Sequence, residues 1–396
     1  MLQKLKSYKK YFFYALSIVI SRGLEYFVLF YAALFLSKED YGQLEFYKKL
    51  IELTAVALAF GLPSLLLTYT KSRDSKVYLN VLAILFIAFL AVIISPILWI
   101  LGFQFLIIPI LFHAIFFNNG VVPVFFITQL GSNKASIYKS ATSLLFYTGV
   151  LLLLLLHPDP EKAFVTVNYY LIGIGIVFLI GLFKNYHIKF SFLKRYFGLF
   201  KKILLSSLTL VVSNFANIMF LYADIMILKL ISKTPNTDIA DYSFVLNIAN
   251  ILILIPLTMV QVDIEKIKKS VNIKKLNYEI IKFLLIFTFL LTITYYVLVK
   301  TIYYDYKDTL YLFLIIVFAK FFQSMSVFHG AIILVNKKFK INLGINVFVL
   351  LLNLILSYAL YKSFDVLGVA IASLTSLIVR FILLRFFSGY KMYYEK

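Results

Sequence analysis

The sequence predicts an all-α integral membrane protein with about twelve transmembrane helices in two six-helix lobes. Three observations carry that prediction. Of 396 residues, 62% are hydrophobic and 14% charged, with a mean hydropathy of +0.93, which is more apolar surface than a water-soluble core needs. The 39 Lys and Arg residues fall in short clusters between long apolar runs, so the formal charge of +21 reads as membrane topology and not as nucleic-acid binding. Two short motifs also recur about half a chain apart.

A transmembrane helix needs ~20 mostly apolar residues. Runs of that length cover 11–36, 46–70, 78–101, 104–130, 138–157, 164–183, 203–231, 240–261, 280–300, 310–335, 341–361 and 366–387. Only Gly102-Phe103-Gln104 parts the third run from the fourth, and Pro96, Pro109 and Pro123 interrupt them. The runs are continuous and not alternating, which excludes a barrel. Lys4, Lys6, Lys9 and Lys10 before the first run mimic a signal peptide, but the run is too long and includes Arg22 and Glu25, so it is expected to stay as helix one.

Basic residues accumulate in cytoplasmic loops. With cations near the ends of the runs counted in the adjoining loops, the N-terminus, every second loop and the C-terminus hold 27 of them, the opposite loops 8, and four lie inside spans. Both termini are therefore expected in the cytoplasm. No loop exceeds roughly 20 residues on this division of spans, so no soluble catalytic domain is expected and the chain does not read as an enzyme. With no Cys, and His only at 113, 157, 187 and 329, there is neither a disulfide framework nor zinc-ligand spacing. No cofactor or metal is expected.

Asp40-Tyr41-Gly42, just past helix one, returns as Asp241-Tyr242-Ser243 just past helix seven. Asn133-Lys134 returns as Asn336-Lys337, at nearly the same offset. This predicts an N-terminal lobe at 1–183, a basic cytoplasmic linker at 184–202 and a C-terminal lobe at 203–396.

The same residues carry a resemblance. Ser21-Arg22-Gly23, Glu39-Asp40-Tyr41-Gly42 and Phe60-Gly61-Leu62-Pro63-Ser64 resemble the opening of bacterial polysaccharide flippases. Asp224-Ile225-Met226-Ile227-Leu228 and Val366-Leu367-Gly368-Val369-Ala370-Ile371-Ala372 look like second-half motifs of that family. Over essentially its whole length the chain is similar to the O-antigen (Wzx-type) branch of the multidrug/oligosaccharidyl-lipid/polysaccharide exporter superfamily. The lipid II flippase branch usually has two further C-terminal helices. The resemblance implies a V of two lobes around a central cavity in the bacterial cytoplasmic (inner) membrane. It also implies transport of undecaprenyl-pyrophosphate-linked oligosaccharide to the periplasmic leaflet, and leaves room for contact with the polysaccharide polymerase machinery.

A hydrated cavity should show as polar stripes along helices. Helix eight carries Ser243, Asn247, Asn250, Thr258 and Gln261 at helical steps; helix eleven carries Asn342, Asn346, Asn353 and Ser357; helix seven carries Ser213, Asn217 and Asp224; helix twelve carries Ser373, Ser376 and Arg380. Such groups can equally hydrogen-bond neighbouring helices. Of these, Asn217, Asn247, Asn250, Asn346 and Asn353 are expected to line the cavity. Ionisable groups inside spans usually serve function. Only five arginines occur, yet Arg22 and Arg380 are intramembrane. With Lys320 they are the candidate pyrophosphate ligands, because a planar guanidinium holds phosphate oxygens bidentately and keeps its charge. Arg380 could instead snorkel to the surface, and Glu25 could simply pair with Arg22. Unidirectional transport needs an energy source, and no Gly-rich loop ending in Gly-Lys-Ser or Gly-Lys-Thr occurs. Glu25 and Asp224 are therefore candidates for coupling to a proton or sodium gradient. The alternatives are a cation-coupled multidrug-type exporter, expected to line its cavity with carboxylates and aromatics, and a polytopic glycosyltransferase or polymerase, for which the segment Asp305-Tyr306-Lys307-Asp308 is too short a catalytic loop.

Overall fold

The computed structural model describes residues 23–69, 73–186, 190–206, 222–262 and 273–389, with Ile188 and Met219 besides. Among the described residues the chain is helical and has no strand. The order begins with α1 (Gly23–Phe35), α2 (Lys38–Ala59), α3 (Leu62–Tyr69), α4 (Arg73–Ile100), α5 (Ile107–Ile115), α6 (Val121–Phe125), α7 (Ser132–Leu156), α8 (Pro160–Asn185) and α9 (Phe190–Ser206). It continues with α10 (222–231), α11 (Pro235–Ala249), α12 (Ile251–Val262), α13 (Ile273–Thr301), α14 (Leu310–Val335) and the long element Phe339–Phe387.

Local sequence sets these boundaries. Pro160 and Pro235 occupy the first turns of α8 and α11, where a missing N–H costs nothing. Asp159 caps α8 by accepting the Lys162 backbone N–H at 3.1 Å. Among the described residues, seven elements are long and apolar enough to cross a membrane. A helix of 26 residues such as α8 extends about 39 Å, beyond the ~30 Å of a hydrocarbon core. Their outward faces are apolar: α13 exposes Phe283, Leu285, Phe289 and Leu290, a contiguous patch suited to lipid and not to water.

In its described parts the chain forms two compact units, Met1–Phe35 with Tyr47–Phe215, and Leu36–Phe46 with Ala216–Lys396. Helix α2 contributes to both. In the first, Phe112, Phe117, Phe146 and the buried His113 pack ring against ring. In the second, one cluster joins α12, α13 and α14 through Val260, Leu276, Ile280, Leu284, Phe328 and Ile332. A second cluster sets Ala319 and Ile333 of α14 against Ile345, Val349, Leu377 and Leu384.

Several spans differ from those read in the sequence. The run 46–70 starts earlier, at Lys38, and breaks where Phe60 and Gly61 both take positive φ. The run 104–130 is a chain of short pieces: Pro109 and Pro123 lie in the first turns of α5 and α6, Gly120 caps α6, and the run ends in a π-turn at Phe126–Leu130. Runs eleven and twelve have no loop between them. Asp365, at φ 47° and ψ −133°, divides Phe339–Phe387 into α15 (339–364) and α16 (366–387), which fold back on each other. Gly368 permits that reversal, since a Cβ there would lie 2.3 Å from the Leu360 carbonyl oxygen. Most of the expected linker is helix α9, and about half of the expected seventh span, including 207–218, lies outside the described residues.

Candidate functional site

The second unit buries a carboxylate at the meeting of several helices. Asp224 of α10 is 5% exposed. It accepts hydrogen bonds from the Tyr242 hydroxyl of α11, from Asn353 Nδ2 of α15 at 2.8 Å and from Ser373 Oγ of α16 at 2.5 Å. The helical steps Asn346 to Asn353 and Ser373 to Arg380 put these polar groups on the facing sides of the α15–α16 hairpin. Asp224, Tyr242 and Ser373 line a cavity with Leu246, Ile316, Ala319, Leu377 and Lys320 of α14. The cavity has room for about one water or ion and is far smaller than a site for a drug-sized ligand. Lys320 is buried and donates to Gln323 Oε1 at 2.9 Å.

Seven residues along both arms, about 10 Å away at 1.5 Å per residue, a second polar layer follows. There Arg380 Nε donates to Asn346 Oδ1 at 3.3 Å. Of the three cations expected at a pyrophosphate site, Lys320 thus shares a cavity with Asp224, Arg380 bonds within the hairpin, and Arg22 lies outside the described residues. Asn217 lies outside them too.

Where α2 begins, the second unit holds another buried group. Glu45 Oε1 accepts from Asn247 Nδ2 at 2.8 Å and from the Tyr41 hydroxyl at 3.3 Å, and all three residues are buried. Gly42 makes room for this contact, because a Cβ would overlap the Asn236 carbonyl oxygen of α11. Lys38 reaches Asp241 at 2.7 Å, so the two halves of the Asp-Tyr repeat pack against each other. Asn250 ends α11 with its Oδ1 buried and unpartnered among the described residues.

In the first unit the Glu25 carboxylate pairs with Lys48 of α2 at 2.8 Å, and Lys48 also reaches Glu52 at 3.4 Å. Both members of the first pair are buried. Sequence reasoning misses Lys48, Glu45 and Glu52, because charges at the start of the second run read as the end of the preceding loop. The signal was nevertheless present: Glu45, Lys48, Lys49 and Glu52 are spaced by three, four and seven, one charged face on an apolar helix.

Three comparisons bear on this geometry. The model of a polysaccharide biosynthesis protein family matches residues 7–264. No curated protein matches the chain. Among solved structures, the chain is similar to the lipid II flippase MurJ in an inward closed conformation, with a TM-score of 0.64, 16% identity, and coverage of 94% of this chain and 86% of that one. It is also similar to the Vibrio cholerae MATE transporter VcmN (TM-score 0.61, 11% identity, 98% and 96% covered). A third similar structure is an inward-facing multidrug resistance MATE family transporter of the MOP superfamily (0.59, 12%, 96% and 98%). At such identities the likeness is one of fold, and that fold is an all-α bundle of long apolar helices. The family match covers well over half of the sequence, and the chain belongs to the polysaccharide biosynthesis protein family.

Proposed function

We propose that the chain flips undecaprenyl-pyrophosphate-linked oligosaccharide, a repeat unit of O-antigen or capsule type, from the cytoplasmic to the periplasmic leaflet of the bacterial inner membrane. Family membership and the fold shared with a lipid II flippase support a transporter of lipid-linked sugar. The observation that carries the ion-coupled form of this reading is the Asp224 cluster. A carboxylate held by an amide and two hydroxyls, beside a buried Lys320, can trade its hydrogen-bond donors for a proton or an alkali cation. Such a group biases the two access states only if its affinity for the ion differs between them. In this reading lobes 1–183 and 203–396, joined by the linker 184–202, alternate access with both termini in the cytoplasm. Arg22, Lys320 and Arg380 hold the pyrophosphate, and Glu25 is the second coupling candidate.

Cation-coupled efflux is the second reading. Buried Glu45 and Asp224, bonded to Tyr41 and Tyr242, and buried Glu25 in the first unit supply the carboxylates and aromatics it requires. Proteoliposomes carrying either a fluorescent lipid-linked oligosaccharide or a cationic dye separate the two. A pH or sodium gradient is expected to drive flipping of the glycolipid in the parent and not in Asp224→Asn or Glu25→Gln. Gradient-driven movement of the dye alone would replace flipping with efflux. Unchanged gradient dependence in both variants would return both carboxylates to structural roles. Arg22→Lys is expected to impair export although charge is kept, and normal export by Arg22→Ala would remove Arg22 from the site.

A further inference from the structure

Helix α9 has three distinct surfaces. Leu193, Phe200 and Ile203 are buried, and Tyr196, on the same face, stacks on Tyr78 of α4 at 5.0 Å while Phe200 meets Phe86 at 5.8 Å. These positions recur at steps of three and four, so one stripe docks the helix on α4. The opposite stripe carries Lys194, Arg195, Lys201 and Lys202, all exposed. None of the four makes an ion pair among the described residues. Phe192 and Leu199 on one flank and Phe197 on the other are 41%, 40% and 55% exposed.

The segment 190–206 does not suit a membrane span, because four cations interrupt it where ~20 mostly apolar residues are needed. It does not suit contact with water alone either, because the cations are bordered on both sides by exposed aromatic and aliphatic side chains. A polar/apolar boundary with negative charge satisfies all three surfaces.

We propose that α9 binds anionic phospholipid headgroups through Lys194, Arg195, Lys201 and Lys202, with Phe192, Phe197 and Leu199 set among the first carbons of the acyl chains. Arg195 can take a phosphate bidentately, while the lysines act as point charges on long apolar stems. The four side chains form two pairs seven residues apart, about 10 Å along the helix, so the stripe can span more than one headgroup. The proposal rests on the membrane placement of the chain and not on what it transports.

The chain has no cysteine, and Gly198 lies in the middle of the cationic stripe, where an added Cβ meets open space. Full-length Gly198→Cys carrying an environment-sensitive dye would be reconstituted in phosphatidylcholine vesicles with and without phosphatidylglycerol, each containing a headgroup-linked quencher. Quenching is expected to rise about twofold or more with the anionic lipid, to fall in high salt, and to lose its lipid dependence when Lys194, Arg195, Lys201 and Lys202 are all changed to Gln. The same substitutions should leave the melting temperature in neutral detergent unchanged, since the docking stripe is intact. Equal quenching in both lipids would overturn the proposal. A response to soluble pyrophosphate in neutral vesicles, without one to phosphatidylglycerol, would also overturn it and make the stripe a soluble-phosphate site.

Discussion

Replacing Asp224 by Ala leaves three buried donors, the Tyr242 and Ser373 hydroxyls and the Asn353 amide, without their common acceptor. Each buried donor left unmade costs about 1–3 kcal/mol, or about 3–9 kcal/mol for three if they were independent. They are not independent, because Tyr242 and Ser373 donate to the same oxygen, Asp224 Oδ2, which brings the two hydroxyls close enough to form one replacement bond. That leaves about 3–5 kcal/mol, a large fraction of the 5–15 kcal/mol that holds a typical domain together. Asp224→Asn keeps one acceptor oxygen but points a new donor at existing donors, so an intermediate loss of about 2–3 kcal/mol is expected. Ser373→Ala and Asn353→Ala each remove one bond and should cost about 1–2 kcal/mol. Chemical unfolding in mixed detergent micelles, followed by proteolytic protection, would rank the variants. The decisive comparison is a double-mutant cycle: once Asp224 is Ala, Ser373→Ala should cost far less than in the parent. If Asp224→Ala were as stable as the parent, or if the cycle were additive, the three hydrogen bonds would not hold the helices together and the reasoning would fail.

Four further outcomes are expected. Gly368→Ala places a Cβ against backbone atoms of Leu360 and Tyr361, which cannot give as a side chain would; a loss of about 2–3 kcal/mol or failure to accumulate is expected, and parent-like folded yield would sink the hairpin account. Lys48→Met should destabilise by about 3–5 kcal/mol by leaving buried Glu25 without this cation, and adding Glu25→Gln should recover most of the loss; a double variant no better than the single would show that the pair is not the relevant unit. Asp159 is held below the usual carboxylate range: its partial burial acts against ionisation, but the Lys162 backbone N–H and ammonium outweigh it. Its cap is therefore worth about 1 kcal/mol above the unfolded value near 4, and it weakens as pH falls through the lower folded value, so the gap between parent and Asp159→Ala should close in acid. Single cysteines at Asp159 and Asp305 should react with an impermeant reagent in intact cells, whereas labelling of a cysteine at Ser191 or Lys268 would reverse the assigned topology.

Composition and charge alone determined the class of this protein. An apolar run of some twenty residues has few outcomes other than a membrane helix, because the hydrocarbon forbids unpaired backbone groups. The positions of α7, α8, α13 and α14 follow from run length, and Asp224, Asn353 and Ser373 stood out as polar groups in apolar surroundings. What the sequence could not determine was which of them meet. Asn353 and Ser373 reach Asp224 only because the chain reverses at Asp365, and a two-residue loop and a direct reversal leave the same hydropathy trace. The buried charges of α2 were lost for a related reason. Hydropathy averages over a window, so Glu45, Lys48 and Glu52 read as the end of a loop, whereas the Asn247 hydrogen bond to Glu45 and the ion pairs of Lys48 with Glu25 and Glu52 come from partners 202 and 23 residues away and within one helical turn. Periodicity along one helix states which face is polar; only packing decides what that face is turned toward.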